Sequence, residues 1–191
     1  MIKEWAARPD YSDAVVTSFI RSAETNLSRI MRVKEMIAVV DAPLSQKRVK
    51  LPSDWRELDT VRVNSGVPLD FLDRGTFYSG QHDTYSHYTI TGDCIEVGSL
   101  RDAEDGLPVE ITYYAALPTL TGDTNWVLTT YYDLFLQACL VSAYNYNIEP
   151  DKATLQSQVV TALVDGANEE HIKSKVSGSR LRRGRSNMRI G

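Results

Sequence analysis

The apolar residues of this chain change their spacing twice, and that double switch limits the folds open to it. Val15, Val16, Phe19, Ile20, Ala23, Leu27, Ile30 and Met31 recur at three- and four-residue intervals, the repeat that lines up one face of an α-helix. Ser12 stands just before the run, where a hydroxyl can accept from an orphan amide of the first turn, so a helix is expected over residues 12–36. Arg21, Glu24, Asn26, Arg32 and Glu35 make its polar face. Pro43 closes the segment after it, because the residue before a proline is pushed out of helical geometry.

From about residue 39 to 116 the helical repeat is lost. Short β-branched and aromatic runs at residues 57–63, 67–72, 88–91, 94–97 and 109–115 are separated by turn chemistry. Asn64-Ser65-Gly66 and Gly92-Asp93 suit tight hairpins, since glycine and asparagine accept positive φ. A small antiparallel sheet or barrel of five or six strands is expected. Residues 74–87 form a polar and aromatic interval within it, open to two readings: a short helix around residues 76–78, or a surface loop.

Helical spacing returns at residues 125–147 through Trp126, Leu128, Tyr132, Phe135, Leu136, Cys139, Leu140 and Ala143, with Asp123 and Thr124 as candidate caps. Pro150 fits the first turn of a third helix, where its missing amide costs nothing. That helix is expected over residues 150–173 from Leu155, Val159, Val160, Leu163, Val164 and Ala167, and the short link before it favours an antiparallel pair. The fold class is therefore α+β: a three-helix bundle (residues 12–38 and 122–174) with a small antiparallel β domain (39–121) inserted between the first and second helices. An extended C-terminal arm (175–191) completes it.

Charge separates body from arm. The net charge is −4, yet the seven basic residues Lys173, Lys175, Arg180, Arg182, Arg183, Arg185 and Arg189 have no acid among them, leaving 14 basic against 25 acidic residues before position 173. A body of net −11 carries a basic tail. The tail is rich in glycine and serine, and reads as an arm that orders on meeting a partner. Arginine forks grip phosphate or carboxylate. Leu181, Met188 and Ile190 among them suit a protein groove better than a nucleic-acid backbone, which the acidic body would repel.

Several chemistries lack footing. Neither G-x-G-x-x-G nor G-x-x-x-x-G-K occurs, so no phosphate-cradling loop is expected. His82, Asp83 and His87 are too few donors for a zinc site without a supporting cysteine pair. Ser86 and His87 are adjacent without a nucleophile elbow. Glu24 and Glu35 lie about 16 Å apart along a helix, too far for a hydrolytic carboxylate pair. Asp102, Glu104 and Asp105 read as a solvated acidic loop. Cys94 and Cys139 are expected as buried free thiols. The longest apolar run is five residues, as at 113–117, against roughly 20 to cross a bilayer. No apolar stretch stands behind the N-terminal Met1-Ile2-Lys3, so no secretory signal is expected.

Four runs, in order, carry a family resemblance. Phe19-Ile20-Arg21-Ser22-Ala23-Glu24-Thr25-Asn26-Leu27 continues to Arg32-Val33-Lys34-Glu35-Met36. Leu51-Pro52-Ser53-Asp54-Trp55-Arg56-Glu57-Leu58 opens the β region, and Tyr88-Thr89-Ile90-Thr91-Gly92-Asp93 precedes a strand. Ile111-Thr112-Tyr113-Tyr114-Ala115-Ala116-Leu117-Pro118-Thr119-Leu120 leads into Thr124-Asn125-Trp126-Val127-Leu128. Together, over residues 12–172, they resemble the head-to-tail adaptor (connector) proteins of tailed bacteriophages.

The resemblance implies a structural, non-enzymatic virion protein at the head–tail junction, or neck, made in the host bacterial cytoplasm, with no cofactor, metal or membrane. It implies a homo-oligomeric ring, commonly of twelve copies, beneath the portal, a downstream tail or nozzle/tube protein, and DNA passing through the lumen without specific binding. Arg180, Leu181, Arg182, Arg183, Arg185, Met188, Arg189 and Ile190 match the portal-binding extension by position and character. Phe77, Tyr78, His82, Asp83, Tyr85 and His87 are expected in a loop facing the tail or a neighbouring subunit. Some relatives are credited with cell-wall hydrolysis, and no residue pair here carries that over. Two other readings stand: a tail-completion or stopper protein lower in the neck, and a DNA-binding module acting through the arm.

Overall fold

The computed structural model describes residues 2–79, 86–98, 105–119 and 126–180, with side chains through Lys175. In chain order these form α1 (Ile2–Trp5), α2 (Asp13–Ile30), a 3-10 turn (Lys34–Met36), β1 (Ile37–Pro43), β2 (Arg48–Lys50), β3 (Trp55–Val63), β4 (Asp70–Phe71) and α3 (Arg74–Tyr78). Then come β5 (His87–Thr91), β6 (Cys94–Val97), β7 (Pro108–Ala115), α4 (Trp126–Thr130), α5 (Tyr132–Tyr146) and α6 (Pro150–Arg180). The chain is mixed α+β and divides into two compact units, Met1–Glu35 with Leu117–Gly191, and Met36–Ala116.

In the helical unit, Ser12 caps α2 as its sequence position suggests, its Oγ accepting from the Val15 amide at 3.4 Å. The helix stops at Ile30, six residues before the expected limit, with Met31 extended. The reason is distant in sequence: Asn168 of α6 donates its amide to the Ile30 carbonyl (3.0 Å) and accepts from Arg32 N (2.7 Å). One side chain thus meets two backbone groups that a continuing helix would have paired with Lys34 N and Ser28 O.

The helix expected over 125–147 is two, α4 and α5, broken at Tyr131, whose φ of −124° and ψ of 37° are not helical. Thr129, Thr130, Tyr131 and Tyr132 are β-branched and aromatic residues, which lose rotamer freedom in a helix and weaken it there. The candidate caps Asp123 and Thr124 lie outside the described residues. Helix α5 packs against α1, α2, α4 and α6, with Phe135, Cys139, Leu140 and Ala143 buried. The turn into α6 puts Ile148 at φ +59° and 87% exposed.

The β unit holds two sheets, ordered β1-β7-β3 and β2-β6-β5-β4. Val61, Val109 and Ile111 from the first share one core with Tyr88, Ile95 and Val97 from the second. The β5–β6 hairpin forms as expected, with Gly92 at φ +64°. The second expected hairpin does not form. Asn64 and Ser65 take positive φ, but β3 pairs with β7, and β4 lies parallel to β5 in the other sheet. The other sheet takes this backbone instead: Gly66 N and Leu69 N reach β3 at Val63 O (2.9 Å) and Val61 O (2.8 Å), but from there Asp70 N donates to Ser86 O at 2.8 Å and Leu72 N to Tyr88 O at 2.9 Å.

Replacing Asn168 with alanine removes both bonds that hold the end of α2. The expected cost is about 1–3 kcal/mol, read as a lower denaturant midpoint at unchanged slope; an unchanged midpoint would show that water serves those backbone groups equally well.

Candidate partner-binding surfaces

Helix α6 runs to Arg180, past residue 175 where the arm was expected to begin. Extending an existing helix fixes one residue per new hydrogen bond, so polar residues that could not nucleate one can still join it. Cations also suit a helix C-terminus; Lys173 additionally pairs with Glu169 one turn back, at 3.0 Å. Arg180 is the last described residue of α6, and Leu181, Arg182, Arg183, Arg185, Met188, Arg189 and Ile190 lie outside the described residues.

Of the second predicted group, Phe77 and Tyr78 fall on α3 and His87 on β5, whereas His82, Asp83 and Tyr85 lie outside the described residues. Asp73 caps α3 by accepting from Thr76 N at 3.1 Å, and hydrogen bonding first from the Thr76 side chain and then from its amide holds the carboxyl below the ordinary range. Phe77 is buried and Tyr78 exposed, their rings edge to face. The Tyr78 hydroxyl donates to Glu96 at 2.7 Å, and Arg48 grips the same carboxylate at 3.0 Å. Phe71 stands exposed against Tyr88. His87 is half-buried, with Nδ1 unbonded among the described residues.

The helical unit carries features that spacing alone concealed. Helix α6 has two apolar stripes: Val160 and Val164 are buried, whereas Leu155, Val159 and Leu163 are 64%, 46% and 40% exposed. They recur every four residues on the uncovered side, one continuous line of apolar surface. An apolar cleft of about 170 Å3 lies among Ile2, Ile20, Leu128, Tyr132, Phe135 and Leu136. A second, of about 220 Å3, is polar and lined by Lys34, Glu35, Tyr131, Glu170 and His171. There the Tyr131 hydroxyl donates to Glu35 at 3.2 Å. Burial first, then the Glu35 charge, pushes the phenol up to about 12, so it stays protonated. These groups come from positions 34, 131 and 171, and no local motif could have joined them.

Among the described residues no group of three or more His, Cys, Asp or Glu side chains is placed to hold a metal, and no helix is long and apolar enough to cross a membrane. Both cysteines are free. Cys139 is buried as expected and burial pushes its thiol up to about 12; Cys94 is only half-buried, a correction that follows from its place on the outer face of β6.

Exposed apolar and aromatic side chains occur on both units, Leu155, Val159 and Leu163 on α6 and Phe71 and Tyr78 in the β unit. A family model described as SU10 adaptor protein matches residues 1–187, and the chain belongs to that family, whose members are structural adaptors of the bacteriophage virion. No curated protein matches it.

Tyr131 gives this cleft a pH signature. Its folded pKa of about 12 exceeds the ordinary 10.0, so its stabilising contribution is complete below pH 10 and is lost as pH rises toward 12. Alkaline unfolding followed by circular dichroism is expected to be shallower across that window in Tyr131→Phe than in the parent; identical profiles would refute the assignment.

Proposed function

We propose that this adaptor is the head-to-tail connector of its virion: a ring, of twelve copies, that sits beneath the portal, joins the DNA-filled head to a tail or nozzle/tube protein, and lets DNA pass. In this reading α2, α5 and α6 act as a three-helix bundle that builds the ring and carries the β unit as an insertion. The observation that carries it is the exposed stripe Leu155, Val159 and Leu163 on α6. A line of aliphatic side chains along an uncovered helix face stabilises a folded chain only when another surface excludes water from it. Family membership supports the same class of role.

Charge fits the arrangement. Residues before position 173 carry a net −11, and a negative lumen wall does not retain DNA. The basic segment from Arg180 onward supplies the portal contact through Arg180, Leu181, Arg182, Arg183, Arg185, Met188, Arg189 and Ile190, with arginines on carboxylates and apolar residues as anchors. Phe77, Tyr78, His82, Asp83, Tyr85 and His87 face the tail or a neighbouring subunit.

The test mixes purified protein with DNA-packaged, tailless heads and images the vertices by electron microscopy. Added ring density directly under the portal is expected. Density lower in the neck would assign a tail-completion or stopper position, and salt-sensitive duplex binding with no added density would favour a DNA-binding module. Ending the chain after Arg180 is expected to leave a folded protein that no longer joins heads; normal docking by that variant would remove the arm from the portal contact. Val159→Glu is expected to preserve the fold, since the side chain is already exposed, and to shift sedimentation from ring to single chains. Intact rings would take the α6 stripe out of the interface.

A further inference from the structure

Strand β7 is paired on both sides, so the outcome for its sheet is decided at β1 and β3. The outer edge of β3 is already occupied by its own chain: Gly66 N donates to Val63 O at 2.9 Å and Leu69 N to Val61 O at 2.8 Å. The edge of β1 is different. Leu44 N donates to Leu107 O at 2.8 Å and the register pairs Pro43 with Pro108. By antiparallel alternation Ala38, Val40 and Ala42 therefore bond to β7, and Ile37, Val39 and Asp41 turn their amides and carbonyls outward. No described strand covers them, and Val39 is 61% exposed.

Side chains add chemistry to this edge. Ala38, Val40 and Ala42 are partly buried against the β core, so an added strand would extend that apolar face. On the opposite face Asp41 is exposed beside Glu110. Glu110 has Arg62 at 3.8 Å, and Asp41 has no ion pair among the described residues. The edge thus asks for an extended segment reading apolar, basic, apolar. Met188-Arg189-Ile190 reads so, within the 11 residues that come after the end of α6, a length that reaches about 36 Å when extended.

We propose that Met188, Arg189 and Ile190 of a second copy add as a strand to β1, with Arg189 beside Asp41 and both apolar side chains over Ala38, Val40 and Ala42. Main-chain bonds supply the affinity and the alternate side chains the register. The proposal rests on residues 181–191 being a docking arm, as the portal reading also holds, and gives that arm a seat before a portal is present. Portal and strand edge then compete for one segment.

The test uses the full chain without heads, so its outcome is independent of portal docking. Amide exchange is read by NMR at Val39 and Asp41 over a range of protein concentration. Protection that grows with concentration is expected, with exchange about tenfold faster in Arg189→Glu. Asp41→Arg is expected to lose protection likewise, and the double variant Asp41→Arg with Arg189→Glu to regain it. Recovery of protection in the double variant would show that its loss in Arg189→Glu is not unfolding. Free exchange at every concentration, or indifference to Arg189→Glu, would overturn the proposal. Protection independent of concentration would overturn the second copy as donor.

Discussion

Leu134, Phe135 and Leu136 stand in succession on α5 and all three are buried. Successive residues of a helix point about a third of a turn apart, so burying three in a row requires neighbours on most of its circumference. Helices α1, α2, α4 and α6 supply them. Each of those helices needs to bury only one stripe against α5, and each therefore keeps a face of its own. Leu27 and Ala23 of α2 are used in this way, as are Val160 and Val164 of α6. What remains on α6 is the line of Leu155, Val159 and Leu163, exposed surface that its packing against α5 leaves uncovered among the described residues.

The β unit repeats the logic with hydrogen bonds in place of side-chain volume. Ile111 of β7 is fully buried and stands in register with Val40 on one side and Val61 on the other. A strand paired on both sides moves the problem of unsatisfied backbone outward to its neighbours. The chain solves it at β3 by turning back through Asn64 and Ser65, which places two amides on the free carbonyls. At β1 it makes no such return, and Pro43, whose nitrogen carries no hydrogen, sits where an outward donor would otherwise be.

Local chemistry was legible where one element answered to its own sequence. Ser12 as a cap, the Gly92 hairpin and the start of α6 at Pro150 follow from propensity and turn geometry alone, whereas the helix at Arg74–Tyr78 was one of two outcomes open to its local sequence. The hidden features depend on partners far along the chain. Asn168 ends α2 from 138 residues away, β3 finds β7 instead of its neighbour, and the cleft around Tyr131 joins Lys34 to His171. The two stripes of α6 were visible as one apolar pattern, because spacing marks a helical face without saying which faces α5 covers. The family resemblance was legible for another reason: it rests on the order of several runs, which survives errors in any one boundary.

An open strand edge invites one copy of a chain to pair with another through the same strand. Asp41 bears on that hazard. Two β1 edges brought together would place two carboxylates on one short ladder, with Glu110 close by on each sheet, and like charges at such positions repel. The same carboxylate welcomes a strand with a basic residue at that place. One side chain therefore separates the wrong pairing from the right one, and it does so without weakening the core, because its own face of the sheet is turned to water. The chain's charge asymmetry gains a physical purpose from this: acids spread over the body discourage copies from meeting face to face, and the basic segment after α6 gives them one way to meet that the acids favour.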